Sequence, residues 1–381
     1  MSLVLVIGAL LFTRTLVNLT SSRLGFNPRS VLVARLTLRK EGNERSRFQA
    51  WRSLIQVVRS FPGLDHVSLS SVALFTGDPQ LVGIRTNATE THPTDPVTGL
   101  SFVSAEYFST LGIGFAGGWD FQTFDEPPQG AAVAIVNQAF AHKFFGGVDP
   151  LGRKLTKLAN EPVWTEIVGI VNDVKVNNLR EAAPPMIYIP YGRITDWLPQ
   201  QARPGLSMFL QVSGQQDVPA LSAELHQKFL SSFVIDKVFR QQQLINDTLF
   251  RERLVANLAS VFAVLALVLA SSGLYGIMSY LVAQRRQEFG IRIAMGAEPR
   301  AIMALVVRDS ATLVVPGIIL GLIASRCASS WARVLLYGLA PDDTGTFLAA
   351  SVFLVAGLLI AALVPAFRAA NADPMIALRN E

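Results

Sequence analysis

The four histidines, His66, His92, His142 and His226, stand apart from one another, with no pair at i, i+4 and no cysteine beside any of them. Tetrahedral zinc sites need clustered imidazole and thiolate ligands, so none is expected. Gly146-Gly147 followed by Gly152-Arg153-Lys154 lacks both the spacing and the terminal hydroxyl of a G-x-x-x-x-G-K-[ST] phosphate loop, which predicts that this chain does not hydrolyse ATP itself. There is no G-x-S-x-G elbow, and the carboxylate pair that stands out, Asp125-Glu126, precedes Pro127-Pro128 and reads as a solvated turn. The reading is therefore of a chain that is not an enzyme, with no catalytic, cofactor-binding or metal-binding residue.

The pattern best suited to a task is Gln287-Glu288-Phe289-Gly290-Ile291-Arg292-Ile293-Ala294-Met295-Gly296-Ala297. Glu288 and Arg292 lie at i, i+4 in the favourable order, so a short helix is predicted, with Gly296 as its stop and Pro299 in the first turn of the next helix. Phe289 and Ile293 share one helical face, and so short a link is not expected to bury both. The segment then either lies on lipid headgroups, with Arg285 and Arg286 toward phosphate, or docks on a cytoplasmic partner.

The elements on either side are set by hydropathy. Of the 381 residues, 50% are hydrophobic and 16% charged, and the mean hydropathy is +0.38, which places part of the chain in lipid. The net charge of +5 comes from dispersed basic residues with no aromatic interleaving, so nucleic acid is not an expected partner. A spanning helix needs about 20 mostly apolar residues. Residues 254–284 meet this as a second span with a stalk, 301–330 as a third containing Pro316, and 346–367 as a fourth. At the N-terminus, 1–20 is a short first span, long enough only if it continues past Thr13 with Arg14 snorkelling. Arg326 is read in the same way, and Cys327 as lipid-facing or packed. Gly317 and Gly321 form a G-x-x-x-G suited to close helix contact.

The link 285–300 carries Arg285, Arg286, Arg292 and Arg300, with Arg308 just beyond, whereas 331–345 carries Asp342 and Asp343 near Arg333. The excess of arginine puts the first link in the cytoplasm. Residues 21–253 then lie outside, and the tail 368–381 inside. Residues 21–253 hold 23 Lys/Arg against 21 Asp/Glu, a balance typical of a folded aqueous domain. Strands are predicted at Val31–Leu38, Val67–Val72, Val133–Val136, Ile167–Val176, Met186–Ile189, Met208–Val212 and Val234–Arg240. Helices are predicted at Arg47–Ser60, Ser104–Leu111, Gln138–Phe145 and Val218–Phe233. The expected domain is α+β with two lobes, one built from the first and last β-α-β units and one from the middle block.

These residues carry a family resemblance. Glu288 to Ala297 resembles the E-I-G-I-R-x-A-[LM]-G-A signature of FtsX/MacB-type permeases, and Asp373-Pro374-Met375-Ile376-Ala377-Leu378-Arg379 resembles their C-terminal D-P-[MIV]-x-A-L-R. Further matches are Phe26 with Pro28, Val133 to Asn137, Asp149-Pro150-Leu151-Gly152 and Ile167 to Val171 with Asp173-Val174, so the likeness spans nearly the whole chain. Phe289 departs from the usual isoleucine, and Ile293 from a position where a basic residue or methionine is frequent.

The resemblance implies four membrane helices with a MacB-like periplasmic core domain between the first two, in the bacterial inner membrane. It implies that Glu288, Phe289, Gly290, Ile291, Arg292, Ala294, Gly296 and Ala297 form a coupling helix on a separate cytoplasmic ABC ATPase. It also implies a permease dimer or pairing with a second permease unit, contact with membrane lipid, a periplasmic partner, and export driven by motion of the periplasmic domain. Family members begin with a basic segment and a longer first helix, so one unit of a tandem permease, a truncated remnant or a late start is expected here. The competing role is an FtsX-like signalling subunit that activates an extracytoplasmic cell-wall hydrolase.

Overall fold

A computed structural model describes residues 2–39, 43–87, 96–122, 132–158, 163–198, 207–295, 297–331 and 343–370. It divides into two compact units, 23–248 and a second made of 1–22 with 249–381.

After helix α1 (Ser2–Thr20), the chain enters unit 23–248. Strand β1 (Val31–Leu38), helix α2 (Glu44–Val58) and strand β2 (Leu64–Ser70) form the first β-α-β unit. Helix α2 starts at Glu44, three residues before the predicted Arg47, because Asn43 caps it by accepting from the Ser46 amide at 2.8 Å. Strands β3 (Gln80–Thr86) and β4 (Val97–Val103) follow, then α3 (Tyr107–Leu111), β5 (Phe115–Gly118), β6 (Val133–Asn137) and α4 (Gln138–Phe145). Next come β7 (Lys154–Lys157), β8 (Thr165–Val171), β9 (Met186–Pro190) and the single turn α5 (Ile194–Trp197). The unit closes with β10 (Met208–Gly214), α6 (Val218–Phe229), β11 (Phe233–Arg240) and α7 (Gln241–Thr248).

The first lobe is an antiparallel sheet in the order β11-β1-β10-β2. The two β-α-β units interleave, since β1 sits between β10 and β11 while β10 separates β1 from β2. One face buries Leu32, Leu36, Leu69 and Leu210 against Leu54 and Val58 of α2 and Leu221 and Leu225 of α6. In the second lobe the order is β4-β3-β7-β8-β6-β9, and β9 also pairs with β4, so these six strands close into a ring. The lobes join at the Ser70–Val103 pair. This is the expected two-lobed α+β architecture.

Four strands, β3, β4, β5 and β7, escaped the sequence reading. Strands β5 and β7 have four residues each, too few to show a period. Strand β4 is buried almost throughout, so it has no alternation to detect. A Cβ at its Gly99 would overlap Met186 of the neighbouring strand β9. Strand β8 stops at Val171, short of the predicted Val176, because Asp173 leaves the ladder to accept from the Ala139 amide in the first turn of α4 at 2.8 Å.

Beyond β5, Asp120 is pushed from its ordinary 3.8 to about 6, chiefly by burial and further by the nearby Glu106, although its carboxylate accepts from the Phe121 amide. Glu106 is itself held by Arg59 at 3.0 Å. A carboxyl whose folded pKa is raised favours folding while protonated. That contribution is complete below about pH 4 and is lost as pH rises through about 6. Asp120→Asn is expected to leave unfolding of the detergent-solubilised chain unchanged at pH 4. At pH 7.5 it should stabilise the chain by about 1 kcal/mol, a figure discounted for the partial exposure of this carboxyl. Thermal melts at the two pH values check both the size and the sign.

The other unit contains α1, α8 (Phe250–Gln284), α9 (Arg286–Ala294), α10 (Pro299–Trp331) and α11 (Thr344–Ala370). Helices α1, α8, α10 and α11 are long and apolar enough to cross a membrane. With 35 residues, α8 is about 52 Å long, well beyond the roughly 30 Å of a hydrocarbon core. Leu3, Val6 and Ile7 of α1 pack with Ala263 of α8 and with Ala350 and Leu354 of α11. A Cβ at Gly321 would meet Leu3 at 3.0 Å, so this glycine lets α1 and α10 approach closely, whereas Gly317 is exposed with no atom that near.

Arg14, expected to snorkel, has side-chain partners at the start of α11. Its guanidinium pairs with Asp343 and donates to the Thr346 hydroxyl at 2.6 Å. Asp343 is available because it caps α11, accepting from the Thr346 amide at 3.1 Å. The Thr346 hydroxyl first, then the amide and Arg14, hold the Asp343 carboxyl below its usual range.

Candidate coupling site

Helix α9 is the predicted short helix, and it has two distinct sides. Phe289 is 3% exposed and packs with Leu274 and Met278 of α8, Ile302 and Val306 of α10, and Ala362 and Ala366 of α11. These neighbours come from three other helices, and the side chain of Ile293, which shares the Phe289 face in the sequence, lies outside the described residues. The other side is open. Ile291 is 49% exposed and Met295 77%, and Glu288 accepts from Arg292 at 2.5 Å in an exposed i, i+4 pair. Such a pair adds about 0.3–0.5 kcal/mol to helix stability, too little to hold α9 in place, whereas the buried Phe289 ties it to three helices.

The ends of α9 are fixed by backbone and charge. The Phe289 amide donates to the Arg285 carbonyl at 3.1 Å and the Ala297 amide to the Arg292 carbonyl at 2.9 Å. Arg285, just after α8, donates to Asp309 of α10 at 2.8 Å. Asp309 had no sequence signal, since its partner lies 24 residues away. The apolar edge formed by Ile291 and Met295 beside the Glu288–Arg292 pair suits docking of a protein surface. Gly290 and Ala294 lie within α9, and Ala297 just past it. Gly296 and the C-terminal motif residues Asp373, Pro374, Ala377, Leu378 and Arg379 lie outside the described residues, as do His92, Asp125, Glu126 and Asp342. Among the described residues no group of His, Cys, Asp and Glu could hold a metal ion.

Among the described residues, four helices long and apolar enough to span a membrane, a short helix between the second and third of them, and an α+β domain after the first define a polytopic membrane protein of the permease class. The MacB-like periplasmic core domain model matches residues 1–228 and the FtsX-like permease C-terminal model matches 260–374. The chain belongs to the FtsX-like permeases with a MacB-like periplasmic core domain.

Among curated proteins it is 26% identical over 351 residues to the macrolide export ATP-binding/permease protein MacB of Azoarcus sp. (strain BH72), covering 89% of this chain and 50% of that one. It is 27% identical over 269 residues to the pyoverdine export ATP-binding/permease protein PvdT of Pseudomonas aeruginosa, covering 68% and 39%. The chain thus spans about half the length of these relatives, or less. Among solved structures it is similar to the periplasmic region of MacB from Actinobacillus actinomycetemcomitans, with a TM-score of 0.39 and 13% identity over 60% of this chain and 97% of that one.

Proposed function

We propose that this chain is the permease subunit of a MacB/FtsX-type ABC transporter. In this reading α9 docks on a separate cytoplasmic ATPase, and the domain at 21–253 moves on the other side of the membrane. The observation that carries the proposal is the two-sided α9, anchored through Phe289 with Ile291, Arg292 and Met295 turned outward. The excess of arginine at 285–300 supports a cytoplasmic position for α9 and the tail. Export is the activity in the names of the two relatives above, and a permease dimer, or pairing with a second permease unit, completes the assembly by family resemblance.

The test is the activity of the partner ATPase reconstituted with this chain. Glu288→Ala with Arg292→Ala is expected to reduce stimulation about tenfold or more, the loss of one interface hot spot. Equal stimulation by the double variant and the wild type would remove α9 from the docking surface.

A further inference from the structure

A cleft of about 140 Å³ opens between α8, α10 and α11, lined by Leu274, Val307, Ala311, Val314, Ile318 and Leu358 among others. We propose that it binds one acyl chain of an anionic phospholipid from the leaflet at the α9 end, with the lipid phosphate on Arg308.

The Arg285–Asp309 pair joins the end of α8 to α10, and with Arg308 it marks the headgroup level, below which α10 is uncharged as far as Ser325. From Val307 to Ile318 the lining of α10 runs 11 residues, about 16 Å. Leu274 lies the same number of residues before Arg285 on α8. Half of a roughly 30 Å hydrocarbon core is about 15 Å, so the cleft is one leaflet deep. Its walls make no polar demand, because the Ser310 hydroxyl is satisfied by the Val307 carbonyl at 2.6 Å.

Arg308 lies on the same ridge of α10 as Ala311 and Val315, which line the cleft. Side chains lean toward a helix N-terminus, which directs Arg308 to the headgroup side. Arg308 is exposed, and the neighbouring Asp309 is already engaged by Arg285. The mouth of the cleft is therefore positive and suits a phosphate whose headgroup carries no compensating charge.

The test is native mass spectrometry of the full chain released from detergent with equimolar phosphatidylglycerol and phosphatidylcholine of the same acyl chains. One bound phosphatidylglycerol is expected, favoured about fivefold, the effect of roughly one arginine at an anionic surface. Arg308→Gln should bring the ratio near one, while Arg300→Gln should leave it unchanged. Ala311→Trp should fill the cleft and remove the lipid adduct, and Val315→Trp, at a position 52% exposed, serves if the first variant does not fold. Equal binding of the two lipids, an unchanged ratio in Arg308→Gln, or an adduct that survives both tryptophan variants would overturn the proposal. So would a dimer that the tryptophan variants dissociate without loss of lipid, since the cleft would then hold a second copy.

Discussion

Phe289→Ala is expected to release α9 and to abolish stimulation of the partner ATPase while Glu288 and Arg292 are both intact. Truncating a buried phenylalanine costs about 3–5 kcal/mol, and among the described side chains of α9 Phe289 is the one buried with α8, α10 and α11. A nine-residue helix has little stability of its own, so losing this buried contact costs it both position and structure. Amide exchange across 286–295 should accelerate on the order of 100-fold, and the loss of ATPase stimulation should equal or exceed that of the double charge variant. Phe289→Leu should restore most of both. Wild-type protection and stimulation in Phe289→Ala would mean that the cluster does not hold the helix.

The second large effect is expected at Gly25, in the segment that leads into the aqueous domain. Gly25 has φ +83, and a Cβ there would overlap the Asp173 carbonyl oxygen and stand 3.0 Å from the Val174 Cα. Neither backbone can easily move away. The Asp173 side chain caps α4 through the Ala139 amide, and the Lys175 amide donates to the Leu24 carbonyl at 3.0 Å. Left-handed backbone costs about 1–2 kcal/mol for a residue with a Cβ, and displacing the strap adds to it. Gly25→Ala should therefore destabilise the domain by roughly 3 kcal/mol or more, a fall in Tm of about 10 °C for a unit of this size. Gly112 is the control: its φ is +68, but the nearest atom to its Cβ would be Asn27 Cβ at 3.5 Å. Gly112→Ala should cost only the conformational term, about 1–2 kcal/mol. Equal Tm values for the two variants would mean that the Asp173 strap yields freely.

What could be read from the residues was local. Strand β1 and helix α4 have the predicted bounds, because alternation over eight residues and a capping asparagine at Asn137 act within one or two turns. The spans were legible because the bilayer imposes one length and one polarity on any helix that crosses it. The Glu288–Arg292 pair was legible because i, i+4 neighbours meet on every helix. The interleaving of β10 between β1 and β2 was not, since nothing near Val31 indicates that its partner is Ser213.

The amino-acid sequence by itself determined that this protein crosses the membrane, that a two-lobed α+β domain follows the first span, and that a short charged helix separates the second span from the third. Only the tertiary structure decided that six strands close into a ring, that Arg14 answers Asp343, and that Phe289 faces inward while Ile291 and Met295 face out. Hydropathy and helical spacing act over a few residues and leave their record in the chain. The burial of Phe289 depends on side chains from Leu274 to Ala366 on three other helices, and packing alone brings these together.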